Sequence, residues 1–119
     1  MDYEKICDKI LNCDNQIRYV GIYDYGELYD KMKSGISSFL NKKETEISLS
    51  HAIYRWSTRK KTSDKIGKPI FAMAKYEKIF RVTIPIGGAG LILISTELSA
   101  NVNDIVDKIL EIQSKYSKI

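Results

Sequence analysis

Residues 80 to 96 read FRVTIPIGGAGLILIST. Phe80, Val82, Ile84 and Ile86 alternate with Arg81, Thr83 and Pro85, the period of a strand with one buried side. Leu91, Ile92, Leu93 and Ile94 then follow without alternation, which predicts a central strand covered on both faces. The glycines between them lead into a strand. A phosphate loop needs glycines that open a helix, so that backbone donors converge on the anion. GGAG at 87–90 is therefore a hairpin turn.

The rest of the chain supplies partners for these strands. YEKICDKIL at 3–11 places Tyr3, Ile6, Cys7, Ile10 and Leu11 on one side of a short amphipathic helix. NCDN breaks it. IRYVGIYD (17–24) and ELYDKMK (27–33) read as strands of a hairpin, with DYG at 24–26 as the turn. SGISSFLNKK (34–43) reads as a short helical turn or a packed loop. Asn41 and Glu44 have the form of a capping box. A long middle helix is expected from there to a point between Lys61 and Lys65, ahead of Gly67 and Pro69. IFAMAKYEK (70–78) reads as a further strand, and Pro69 at its start suits a sheet edge, where a missing donor matters little. Val102, Ile105, Val106, Ile109, Ile112 and Tyr116 set a final helix, with Asp104 and Asp107 near its start and Lys115 and Lys118 near its end to suit the dipole.

The reading is α+β: a single five-stranded antiparallel sheet with helices on its faces, in the order α-β-β-α-β-β-β-α, as one domain over 1–119. With 44% hydrophobic and 29% charged residues, the chain has the composition of a folded protein rather than a disordered one. No apolar run approaches the roughly 18 residues that span a bilayer, and Met1 leads into DYEK rather than a signal sequence, so the expectation is a cytoplasmic protein with no membrane partner. Cys7 and Cys13 match neither a zinc knuckle nor a redox CxxC pair, and the chain's single histidine leaves no self-contained metal site. No cofactor is expected.

Charge is uneven along the chain. From His51 to Lys68, six basic residues stand against Asp64, a local +5, and the remainder sums to −1. His51, Arg55 and Arg59 are four apart on the middle helix, and Lys60, Lys61, Lys65 and Lys68 carry the charge past its end. Leu49, Ala52, Ile53 and Trp56 share the arc expected to be buried. Two accounts of the basic stripe are open: solvated residues near the negative end of the helix dipole, or a partner- or anion-binding surface in which Arg55 and Arg59 offer planar donor forks.

VGIYDYGELY (20–29), with its apolar strand ending in an acidic residue and a glycine turn, resembles the first hairpin of a roadblock/LC7 domain. The element order resembles the same family, which lies within a profilin-like group near longin and PAS-like domains. The chain is also similar to short uncharacterised archaeal proteins of this layout. The resemblance implies a sheet with its first and last strands central, and pairing of two copies through the middle helix and an edge strand. PIFAMAKY matches that edge strand, so Ile70, Phe71 and Met73 are the expected homodimer residues. It also implies a non-catalytic scaffold or regulator of small GTPases.

Other functions are weaker fits. No nucleophile motif accompanies His51, and no carboxylate pair is marked out, so an enzyme is not expected. Nucleic-acid binding has basic residues and eight tyrosines to draw on but lacks the RRM signature and order, and is not favoured. A PAS-like sensor could hold a small ligand among Tyr19, Tyr23, Trp56 and Phe71, residue types that equally fill a packed core. The preferred reading is a regulatory or adaptor domain with an acidic protein surface as its partner.

Overall fold

The computed structural model of the chain describes residues 2–116. Helix α1 (Tyr3–Cys13) starts at Asp2, whose carboxylate accepts the Lys5 N–H at 3.1 Å. It buries Ile6, Cys7, Ile10 and Leu11, the stripe read from the sequence, and runs through Asn12 and Cys13, past its expected end. Strands β1 (Ile17–Asp24) and β2 (Glu27–Met32) form the hairpin. Its two turn residues, Tyr25 and Gly26, have φ of 51° and 79°, the primed geometry that matches the twist of paired strands. The stretch that follows is an exposed loop rather than a packed one, with Phe39 and Leu40 in solvent.

Helix α2 (Lys42–Lys60) opens with the expected capping box, Asn41 and Glu44 each satisfying the other's backbone N–H. It stops at Lys60, short of the expected range. Lys61 is its cap, and a separate single turn, α3 (Ser63–Ile66), follows before Gly67 at φ 90°. Strands β3 (Ala72–Lys75), β4 (Phe80–Ile86) and β5 (Gly90–Thr96) and helix α4 (Val102–Tyr116) complete the order. In α4, Asp104 lies in the first turn and Lys115 in the last, while Lys118 lies outside the described residues.

The sheet is antiparallel throughout, in the order β2-β1-β5-β4-β3, so the first and last strands sit side by side and β2 and β3 are its edges. Register places Val20, Ile22, Val82, Ile84, Ile86, Ile92 and Ile94 on one face. These pack with the buried stripe of α1 and with Val102, Ile105, Val106 and Ile109 of α4 in a single core cluster. At about 1.5–3 kcal/mol for each large aliphatic side chain removed from water, this cluster is the main source of the fold's stability. Leu91 and Leu93, on the other face, are buried too, so all four positions of the LILI run are shielded. The chain divides into two compact units: Ser37–Ile70, which holds α2 and α3, and the flanking chain, which holds the sheet, α1 and α4.

Candidate functional site

The basic residues lie in the unit formed by Ser37–Ile70. His51, Arg55, Arg59 and Lys60 are all exposed along α2, and Lys61, Lys65 and Lys68 continue in solvent beyond it. Leu49, Ala52 and Trp56 are the buried residues of that helix, Trp56 at 3% exposure, and Ile53 is half-buried. Helical spacing puts Ile47, His51, Tyr54, Arg55 and Thr58 within an arc of roughly 100°. The cationic stripe therefore runs beside two exposed apolar side chains, Ile47 and Tyr54. The Arg59 guanidinium lies over the Trp56 ring, 6.0 Å from its centre.

The two units treat their cations differently. Outside Ser37–Ile70, Arg18 pairs with Glu97 at 3.0 Å, Lys31 with Asp8 at 2.5 Å, Lys108 with Asp104 at 3.1 Å, and Lys115 reaches Glu111 at 3.9 Å. Lys33 donates to the Asp14 carbonyl at 2.7 Å, and burial pushes its ammonium below the usual lysine range. Within Ser37–Ile70 eight Lys and Arg stand against three Asp and Glu, a net +5, and among the described residues none of those eight forms an ion pair. Among the described residues the ion pairs thus lie outside Ser37–Ile70, although Lys5, Lys9, Lys75 and Arg81 there make none either. Asp64, the acid nearest these lysines in sequence, lies in α3, a turn with no buried residue.

The expected edge strand needs correction. β3 begins at Ala72, so Ile70 and Phe71 precede it and only Met73 of the three lies within it. Pro69 supplies no N–H and Gly67 has turned the chain away from helix, so regular pairing starts only at Ala72, opposite Thr83. All three side chains are nonetheless in solvent, Ile70 at 56% and Met73 at 50%. Ile66 in α3, at 82%, was not singled out by sequence; it is the one apolar residue of Ser63–Ile66, so no periodic signal marked it. Of the residues named for a ligand cavity, Tyr23 is half-buried, Phe71 is exposed, and the Tyr19 hydroxyl donates to Asp30 at 3.0 Å, its ionisation pushed up by burial.

No family model matches the sequence, and a comparison with curated proteins finds no match. Solved structures do match. Myxococcus xanthus MglB is 14% identical, with a TM-score of 0.73 over 99% of this chain and 96% of its own. The roadblock/LC7 domain from Streptomyces avermitilis is 7% identical, with a TM-score of 0.73 over 97% and 92%. The chain has the roadblock/LC7 fold. The gliding protein MglB of Thermus thermophilus is likewise similar, at 11% identity and a TM-score of 0.64 over 94% and 88%. The roadblock/LC7 likeness spans 94–99% of the chain at 7–14% identity, so it is a likeness of fold. Among the described residues, no helix is long and apolar enough to cross a membrane.

Proposed function

We propose that the chain is a non-catalytic regulatory or adaptor domain that works in the cytoplasm through protein–protein contact. It pairs with a second copy along β3, with Ile70, Phe71 and Met73 at the seam. It presents His51, Arg55, Arg59, Lys60, Lys61, Lys65 and Lys68 to an acidic protein surface. The roadblock likeness suggests a small GTPase as the partner class. The observation that carries this reading is the group of cations in Ser37–Ile70 that form no ion pair among the described residues, beside exposed Ile47 and Tyr54. Mixed cationic and apolar exposure favours a protein surface over a bare phosphate backbone. The test is titration with purified small GTPases of the same organism, in GDP and GTP-analogue forms. Binding should weaken with salt and be lost in Arg55→Gln with Arg59→Gln, a pair whose exposed positions leave the fold intact by circular dichroism. Undiminished binding by that double variant would overturn the contact surface.

A further inference from the structure

The tip of the β1–β2 hairpin is built unlike an ordinary turn. The two central positions of a primed turn favour Asn, Asp and Gly, because both need positive φ, yet the first is Tyr25 at φ 51°. A bulky residue in that conformation is uncommon and strained. Burial does not compensate, since Tyr25 is 93% exposed, the highest among the exposed large hydrophobic side chains described.

What lies beneath Tyr25 is tied together by hydrogen bonds and a ring stack. Asp24 is buried, and the Tyr3 hydroxyl donates to its carboxylate at 2.7 Å. Its other oxygen lies 3.0 Å from where a Cβ on Gly90 would sit, beside the Ile86 carbonyl oxygen at 2.9 Å. The Tyr3 ring stacks on Tyr29, centroids 4.7 Å apart and planes 14° apart, and the Tyr29 hydroxyl donates to the Glu27 carboxylate. The strained aromatic is thus held out on a braced support, the arrangement by which contact surfaces present a low-entropy anchor. Its surroundings are acidic. Residues 2–5 and 23–29 contain Asp2, Glu4, Asp24 and Glu27 against Lys5 alone.

An exposed phenol ring, with Glu27 exposed two residues on and a local excess of acidic residues in the sequence, fits an ammonium or guanidinium group. The same sequence carries such groups at Lys60, Lys61, Lys65 and Lys68, which among the described residues form no ion pair. We infer that the Tyr25 tip of one molecule takes the basic side of a second copy, the lysines of residues 60–68. This rests on the reading of those lysines as a contact surface and names an occupant for it. The contact joins two different patches, so it is heterologous and adds to the isologous pairing along β3.

The experiment is sedimentation velocity of the full chain at low and high salt, carried out in a Met73→Glu background so that pairing along β3 does not contribute. One variant adds Tyr25→Asn and Glu27→Gln. Another adds Lys60→Gln, Lys61→Gln, Lys65→Gln and Lys68→Gln. The background protein should associate at low salt and dissociate at high salt. Each variant alone should associate about tenfold more weakly. An equimolar mixture should regain association, because each variant keeps the half that the other lacks. Tyr25→Asn should melt no lower than its parent, since Asn suits the turn, which separates lost contact from lost fold. No low-salt association of the background protein, undiminished association of the tip variant, or no recovery on mixing would each overturn the inference. If the lysine variant alone lost association, the tip would be excluded while the basic contact surface stood.

Discussion

The two edges of the sheet are protected in opposite ways. Strand β2 carries Glu27, Asp30 and Lys31 along its length, and it is tied to α1 by the Lys31–Asp8 pair and by Lys33 on the Asp14 carbonyl. Lys33 donates its N–H inward to Arg18, and alternation then leaves Leu28, Asp30 and Met32 facing outward with their backbone groups. A groove of about 460 Å³ beside it is lined in part by Asp8, Asn12, Lys31 and Lys33. Strand β3 reads Ala-Met-Ala-Lys and has no buried residue. Tyr76 donates inward to Ile79 at 2.8 Å, so the same alternation turns the backbone of Met73 and Lys75 to the open edge. Charges on an edge deter pairing with another chain, and an apolar edge invites it. The difference teaches that a strand's protection can be read from its charges: β2 carries a charged guard, and β3 is the open edge along which we propose pairing.

Removing the guard from β2 should have the largest effect. Asp30→Val with Lys31→Val leaves an apolar edge, and the double variant should form larger, concentration-dependent species that the parent does not, seen by light scattering. If it stays as the parent, the charges do not protect that edge. Next comes the brace between α1 and the hairpin. Tyr3→Phe keeps the ring stack but strips the buried Asp24 of its hydroxyl donor, and should cost about 1–3 kcal/mol in denaturant unfolding while leaving association along β3 unchanged.

Alkaline pH should weaken the β2 side before anything else. The hydrogen bond to Asp24, then burial, pushes the Tyr3 phenol from 10.0 to about 12, and burial pushes the Cys7 thiol from 9.0 to about 11. Both groups hold their protons longer in the fold than in the unfolded chain. Their contribution is therefore complete below pH 9 and lost as pH rises through 9–12. The melting temperature should fall across that window, and less steeply in Tyr3→Phe; an equal slope in both proteins would remove Tyr3 from the account. The smallest effect is expected from Asp8→Asn. The pair it breaks is exposed, so the melting temperature should move slightly and only at low salt.

How much of this was legible depended on whether a signal was periodic. The alternation at Phe80–Ile86, the unbroken LILI and the stripes of α1 and α4 are repeated patterns, and each element followed them. The capping box at Asn41 is a two-residue code, and it too was readable. Ends were harder. Ile70 and Phe71 looked like strand because their residue types favour one, but Pro69 withholds a donor and pairing waits for Ala72. The candidate surface was legible as charge: the stripe at His51, Arg55 and Arg59 is exposed as its spacing implied. The absence of ion-pair partners for these cations was not legible, because it depends on carboxylates distant in sequence. Asp24 read as ordinary turn chemistry. Its burial arises from Tyr3 and Gly90, which sequence separates and the sheet brings together.

The central claim is that β3 is kept open for a second copy of the chain, and its direct test is the solution mass. Light scattering of the parent protein in moderate salt at tens of micromolar should give twice the 13.6 kDa chain mass, and Met73→Glu should give a single chain mass with an unchanged circular dichroism spectrum. A parent that scatters as one chain, or a Met73→Glu protein that still pairs, would contradict it.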